Sequence, residues 1–167
     1  MEIIEPLSEL LKEIDKEIKI GHWSDSQWKS FFDSYNSKES NYRLFLIDNL
    51  KHVYLFDSDY KQSHHEEKKK IAAFALILES RGELLAHLLK IAVASSMQRQ
   101  GLAEKLLDFI IGHYKDVEKF DKIYLEVHSE NHRALSLYKK FNFKTLHKCK
   151  HFYAQGTDAF KMLLNLF

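Results

Sequence analysis

The order of apolar patterns from residue 71 onward constrains the fold of this chain most strongly. Two strand-like runs, IAAFALILE at 71–79 and ELLAHLLKIAV at 83–93, flank Arg81 and Gly82, a turn signal, and predict a hairpin of buried strands. After this hairpin the patterns predict a helix, a strand, a helix and two strands, at 101–115, 122–128, 131–141, 143–153 and 158–167. This order predicts an α/β (α+β) fold in which helices flank a mixed, mostly antiparallel sheet.

The first seventy residues predict two helices, two short strands and a polar loop. Apolar residues recur at helical spacing from Leu7 to Ile18, and a second helix begins at Ser24, which can form a capping box with Gln27. Strand patterns follow at 43–48 and 51–56. The very polar segment 57–70 has nearly balanced charges, so we expect a solvated hairpin loop rather than a metal site or a docking patch. We expect one domain over 1–167.

Composition and charge limit the classes of partner. The chain is 45% apolar and 29% charged, as an ordinary globular protein is. Its net charge of +1 gives no broad footprint for nucleic acid, so we expect no direct nucleic-acid partner, although a local basic patch stays compatible with that charge. A single cysteine, Cys149, suits a reducing compartment. The N-terminus lacks the pattern of a signal peptide or a membrane span, and we expect a cytoplasmic protein.

A polar turn, Gln98-Arg99-Gln100-Gly101-Leu102-Ala103, joins a predicted buried strand to a predicted helix. The free N–H groups of a first helical turn can bind an anion without any charged side chain. Small residues at Gly101 and Ala103 would let a diphosphate approach the backbone. The turn lacks both the Gly-Lys-Ser/Thr of a nucleotide-triphosphate loop and the three glycines of a dinucleotide fold. Simple packing would also explain the glycine, so the turn alone leaves both interpretations open.

Two further side chains are candidates for proton transfer. On the strand 122–128, alternation places Tyr124, Glu126 and His128 on the face opposite three apolar residues. Glu126 is therefore either an ordinary glutamate on a wet face or a proton acceptor. Tyr138 lies on the apolar stripe of the following helix, where it is either a core tyrosine or a proton donor. Asn131 stands at the start of that helix and could serve as its cap.

The motif QRQGLA, after IAV at 91–93, resembles the acetyl-CoA signature Gln/Arg-x-x-Gly-x-Gly/Ala of the GCN5-related N-acetyltransferase (GNAT) family. The similarity continues through LEVHSENHRALSLYKKFNF and FY....DAFKML, and HWS at 22–24 weakly resembles an early PWS. The RimI-type enzymes, which acetylate the N-terminal alanine of a ribosomal protein, are the most similar branch. The predicted helix that contains Tyr138 is followed by Asn142-Phe143, where the family has Gly-Phe. Asparagine also tolerates the left-handed conformation that ends such a helix.

This resemblance implies a role for each matching residue. Glu126 would accept the proton of the amine, Tyr138 would protonate the departing thiolate, and Tyr153 would lie near the acceptor. The main chain at 91–93 would pair with the pantetheine arm, and the amides at 99–104 would hold the pyrophosphate. The residues assigned to acetyl-CoA are Ile91, Ala92, Val93, Gln98, Arg99, Gln100, Gly101, Leu102, Ala103, Glu104 and Asn131.

Alternatives remain for the acceptor, for catalysis and for a metal. The acceptor would be a protein N-terminus, as in the ribosomal-protein enzymes, or else a lysine or a small amine. A non-catalytic acyl-CoA-binding module would need neither Glu126 nor Tyr138. His147, Cys149 and His151 alternate along a predicted strand, but the two histidines would lie ~13 Å apart, too far to share a zinc ion. We therefore expect no metal, and the sequence gives no oligomeric state.

Overall fold

The computed structural model describes residues 4–18, 21–36, 40–56, 71–153 and 156–167. The predicted loop at 57–70 lies outside these residues. The helices are α1 (Ile4–Lys16), α2 (Asp25–Tyr35), α3 (Leu102–Gly112) and α4 (His132–Lys140). The strands are β1 (Tyr42–Asp48), β2 (Val53–Leu55), β3 (Ile71–Ser80), β4 (Leu85–Val93), β5 (Lys122–His128), β6 (Lys144–Cys149) and β7 (Ala159–Asn165). No helix in the described part of the chain is long and apolar enough to cross a membrane.

The strands form one seven-stranded sheet in the order β2-β1-β3-β4-β5-β7-β6. β4 pairs with β5 in parallel over Leu85–Leu88, and the β1–β2, β5–β7 and β6–β7 pairs are antiparallel. Parallel neighbours need a crossover connection, and α3 supplies it between β4 and β5. The predicted α/β fold with a mixed sheet and flanking helices is confirmed.

The contacts divide the chain into two compact units, 1–77 with 90–110 and 78–89 with 111–167. The first unit contains α1, α2, β1, β2 and most of α3. The second unit contains β5, β6, β7 and α4. β3 and β4 each contribute residues to both units, and the paired residues of β4 and β5 lie within the second unit. The expectation of one domain over 1–167 stays a prediction.

A buried ion pair organises the first unit. Asp15 lies at the end of α1, and its Oδ1 accepts from Lys90 Nζ of β4 at 2.5 Å. Its Oδ2 accepts from the Trp23 backbone N–H at 2.8 Å and from the Trp28 indole N–H at 3.0 Å, while Lys90 also donates to the Gly21 carbonyl at 2.7 Å. Burial lowers the pKa of Lys90, and the Asp15 carboxylate acts in the opposite direction. These bonds fix the connection between α1 and α2 to β4.

The helix ends follow the local chemistry that the sequence predicts, with one exception. Ser24 caps α2 in a capping box with Gln27, as expected. Asn142 has a φ of 64°. Its backbone N–H and that of the following residue both donate to carbonyls in the last turn of α4, and the two bonds form a Schellman motif. The α-helix of α3 ends at Gly112, short of the predicted residue 115, because glycine supports a helix poorly and 113–117 widen into a π-helical turn.

Candidate functional site

A half-buried polar face on β5 carries the predicted carboxylate. Ile123, Leu125 and Val127 are buried, whereas Tyr124, Glu126 and His128 are only partly covered. The alternation predicted for 122–128 is therefore confirmed. The same face receives Lys161 from β7, because Lys161 is the register partner of Glu126.

Glu126 is held by two hydrogen-bond partners that come from adjacent strands of the second unit. Its Oε1 accepts from the Tyr124 hydroxyl at 2.7 Å, and its Oε2 lies 2.6 Å from Nε2 of His87 on β4. His87 and Tyr124 are register partners, and their rings meet edge to face with centroids 5.0 Å apart. The Glu126 side chain is only 17% exposed. The three side chains form what we call the Glu126 cluster: His87, Tyr124 and Glu126.

The electrostatics of the Glu126 cluster favour an ionised carboxylate. Burial by itself would raise the pKa of Glu126, but hydrogen bonds from His87 and Tyr124 and the positive charges of His87 and Lys161 outweigh it and lower that pKa. Burial and the hydrogen bond to Glu126 raise the pKa of Tyr124, so Tyr124 remains a donor. The cluster therefore combines a carboxylate that accepts protons with an imidazole that can carry one.

Tyr138 is buried on α4 with its side chain turned into the second unit. The residue is 6% exposed, and its ring packs against Phe143 with centroids 5.6 Å apart. Burial raises the pKa of Tyr138, and Tyr153 adds to the rise. None of the described residues forms a hydrogen bond with its hydroxyl. A tyrosine in this environment keeps its proton and has a donor available.

Tyr153 interacts electrostatically with both candidate proton-transfer groups, Glu126 and Tyr138. Its ring stacks on His128 with centroids 5.2 Å apart and planes inclined by 24°. Burial raises the pKa of Tyr153, and the charge of Glu126 raises it further. Since Tyr153 also raises the pKa of Tyr138, these groups share one electrostatic environment in the second unit.

Asn131 forms the cap that local chemistry allows. Its side-chain Oδ1 accepts from the Ala134 backbone N–H at 3.1 Å, at the start of α4. This bond satisfies one of the free amides of the helix. The role of Asn131 in coenzyme binding stays a prediction.

The predicted phosphate turn lies in the first unit and has the backbone that an anion site needs. Arg99 and Gly101 have positive φ angles of 61° and 76°, and α3 begins at Leu102. The first intrahelical bond runs from the Lys105 N–H to the Gly101 carbonyl at 2.9 Å. The preceding amides, at 102–104, therefore have no acceptor within the helix. A side chain at Gly101 would meet no atom but would strain a backbone of this φ.

The end of β4 is connected to this turn. Gln98 donates from Nε2 to the Val93 carbonyl at 3.3 Å, which ties the turn to the strand. Ala92 is buried, and Ile91 and Val93 are half-buried. The ladder to β5 covers Leu85–Leu88, and β4 continues beyond it to Val93.

Sequence reasoning missed His87 and underrated Tyr124. His87 is separated from Glu126 by 39 residues, and only the register of β4 against β5 brings the two together. No local pattern in the sequence marks that register. Within the described ranges, no group of three or more possible ligands could hold a metal ion, and Nδ1 of His151 instead lies 3.0 Å from the Gly156 carbonyl.

The sequence and the structure are similar to those of known N-acetyltransferases. A stretch of 76 residues is 41% identical to the N-alpha-acetyltransferase of Sulfolobus acidocaldarius. It covers 46% of this chain and 45% of that protein. The chain thus spans less than half the length of this relative. The ribosomal-protein-S18-alanine N-acetyltransferase of Escherichia coli has a similar structure, with a TM-score of 0.69, 25% identity and coverage of 95% of this chain and 87% of that one.

A subunit of the NatC complex bound to Gag peptide and CoA has a similar fold. Its TM-score is 0.67 at 21% identity, with 96% of this chain and 91% of that one covered. The family model described as "Acetyltransferase (GNAT) family" matches residues 20–143, most of the chain. This match covers β4, the phosphate turn, the Glu126 cluster and Tyr138, and it confirms the resemblance: the chain belongs to the GNAT acetyltransferase family.

Proposed function

We propose that this protein transfers the acetyl group of acetyl-CoA to the N-terminal α-amine of a protein. The observation that carries the proposal is the Glu126 cluster, a half-buried carboxylate held by His87 and Tyr124. A buried, protonated tyrosine in the same unit, Tyr138, supplies the complementary acid. A module that only binds coenzyme would need neither group, so their presence supports catalysis.

The first unit would bind the pyrophosphate and the extended arm of the coenzyme. The amides at 102–104 and the positive φ of Gly101 suit a pyrophosphate, and Ile91, Ala92 and Val93 lie beyond the β4–β5 ladder, where their main chain suits an extended arm. Gln98 would support the turn through its bond to Val93. Acetyl-CoA, as a thioester, supplies the activated acetyl group.

Glu126 would accept the proton that the amine loses as it attacks the thioester carbonyl. The carboxylate is already ionised because the Glu126 cluster lowers its pKa, and His87 can take part in passing the proton to solvent. Tyr138 would donate its hydroxyl proton to the thiolate when the C–S bond breaks. The products are then an N-acetyl amide and a free thiol, and solvent restores the proton of Tyr138.

The choice of acceptor amine rests on the free energy needed to deprotonate it. At pH 7 an α-amine with pKa ~7.7–8.0 costs about 1 kcal/mol to deprotonate, whereas a lysine with pKa ~10.4 costs about 4.6 kcal/mol. One carboxylate with a lowered pKa suits the first amine much better than the second. An N-terminal alanine is the first acceptor to test, because the similar Escherichia coli enzyme is named for one.

A thiol-release assay tests the proposal. Peptides with a free N-terminal alanine are incubated with the protein and acetyl-CoA, in parallel with lysine peptides whose α-amine is blocked. We expect turnover on the first set, with mass spectrometry placing the acetyl group on the α-nitrogen. Coenzyme binding without turnover on either set would contradict catalysis, and faster turnover on lysine would contradict the assigned acceptor.

Enlarging Ala103 should weaken coenzyme binding. Ala103 lies in the first turn of α3, so the Ala103→Leu side chain would crowd a pyrophosphate bound to the neighbouring amides. We expect the Kd for acetyl-CoA to rise about 10-fold, the equivalent of ~1.4 kcal/mol, in calorimetric titration. Asp108→Leu places the same leucine side chain on an exposed part of α3 and is the control. Equal affinities for both variants would remove the turn from the coenzyme site.

Replacing His87 should change the pH dependence more than the acceptor affinity. His87 lowers the pKa of Glu126, so the His87→Asn variant should need a higher pH to ionise the base. The acidic limb of the kcat/KM profile should therefore move to higher pH, with the largest loss of kcat/KM at the acidic end of the profile. His147→Asn, an exposed histidine on β6, is the control. An unshifted limb would show that His87 is not coupled to the base.

A further inference from the structure

The segment from Asn131 to Thr157 contains no acidic residue. It carries six Lys or Arg residues and three histidines in 27 positions. At the overall frequency of 24 acids in 167 residues, a segment of this length would contain about four. Since the net charge of the whole chain is only +1, the remainder of the chain is acidic. The near-neutral total therefore conceals a strong local separation of charge.

The structure displays this charge on one part of the second unit. The last turn of α4 leads through a short turn into β6, which is the terminal strand of the sheet and is exposed at every position but its last. β6 and the residue after it span ~20 Å at the usual rise of a strand. We call the exposed lysines along this path the basic surface: Lys139, Lys140, Lys144, Lys148 and Lys150.

Ordinary structural roles explain single lysines but not the whole basic surface. Lysine on an edge strand discourages association with other strands, and lysine in a last helical turn complements the helix dipole. Neither role requires that acids be missing throughout the segment. Lys148 is neutralised by Asp158 at 2.7 Å. No described residue forms an ion pair with Lys139, Lys144 or Lys150, and their charges are available to a ligand.

We propose that the basic surface binds RNA, with lysines on the phosphates and Phe152 against an unpaired base. Phe152 stands two residues after Lys150, is 44% exposed and contacts the Tyr153 ring edge to face, with centroids 5.1 Å apart. A row of cations ending in an exposed aromatic ring matches the two features of a single-stranded segment, its backbone and its unstacked bases. Duplex DNA, an anionic membrane or an acidic peptide would use the charge but leave the ring without a stacked base.

Fluorescence anisotropy with a labelled RNA hairpin carrying an unpaired loop tests this proposal at several salt concentrations. We expect binding to weaken steeply with salt, because phosphate contacts release counterions. The Lys139→Gln, Lys144→Gln, Lys150→Gln triple variant should reduce the slope of log K against log salt by about 2. Phe152→Ala should weaken binding roughly 5-fold or more while leaving that slope unchanged.

A matched triple variant separates this surface from charge in general. Lys29→Gln, Lys51→Gln, Lys119→Gln removes three exposed lysines elsewhere and should keep the wild-type slope. The proposal is overturned by absence of RNA binding at low salt, or by equal loss in both triple variants. Tighter binding to duplex DNA, polyglutamate or anionic vesicles also overturns it.

Peptide acetylation, measured in parallel, should be the same in both triple variants. Neither set of lysines belongs to the residues proposed for acetyl transfer. A loss of RNA binding and a failure of acetyl transfer are therefore distinguishable results.

Discussion

Replacing Glu126 by glutamine is expected to lower kcat/KM for an N-terminal peptide by about 10²–10⁴-fold near pH 7. The amide keeps the shape of the side chain and can still interact with His87 and Tyr124, but it cannot accept a proton. The size of the effect depends on how much of the proton transfer passes through this carboxylate. Initial rates of thiol release, with the peptide varied at saturating acetyl-CoA, measure it.

The deficit of Glu126→Gln should narrow as pH rises. Hydroxide becomes more abundant as pH rises, and it can accept the proton of the attacking nitrogen when the carboxylate is missing. The control is Glu118→Gln, which removes a carboxylate that pairs with Arg81 at 3.1 Å in the same unit. Wild-type rates for Glu126→Gln from about pH 6 to 9 would exclude Glu126 as the base.

The lowered pKa of Glu126 indicates when its proton transfer would occur. A carboxylate whose pKa lies below its usual value is a weak base toward a free ammonium ion of pKa ~8, so proton transfer from that ion is unfavourable. The α-amine needs only about 1 kcal/mol to be neutral in solution at pH 7. The nitrogen becomes far more acidic once it bonds to the carbonyl carbon. Glu126 is therefore suited to accepting the proton during or after attack.

Local sequence chemistry was sufficient for the features set by a few neighbouring residues. The alternation of Ile123 to His128 follows from the two-residue period of a strand, and burial on one side confirms it. Ser24 and Asn142 mark helix ends because their own side chain or backbone conformation determines the cap. These features need no knowledge of the rest of the chain.

Features that depend on distant segments could not be obtained in this way. The bond between His87 and Glu126 requires the parallel register of β4 and β5, which α3 and a π-helical turn separate in the chain. The partners of Asp15 come from β4, from the α1–α2 connection and from α2, and no pattern around Asp15 predicts them. The basic segment was readable in the sequence, but its exposure required β6 to lie at the edge of the sheet.

Replacing Tyr138 by phenylalanine is expected to reduce kcat by roughly 10²-fold or more while leaving the Kd for acetyl-CoA nearly unchanged. The variant removes one hydroxyl from a buried ring that packs on Phe143 and keeps its shape. Burial raises the pKa of Tyr138, so the phenol is fully protonated near neutral pH. A thiolate formed in the same dry surroundings would also have a raised pKa, which restores the match between donor and acceptor.

Calorimetry for Kd and thiol release for kcat separate a catalytic role of Tyr138 from a packing role. Tyr114→Phe is the matched control, because it removes another buried tyrosine hydroxyl, one that donates to Glu79 at 3.1 Å. That variant should lose about 1.5–3 kcal/mol of unfolding free energy but keep its kcat. If Tyr138→Phe instead loses coenzyme affinity and stability together, with kcat unchanged at saturation, the hydroxyl supports packing and another group must protonate the thiolate.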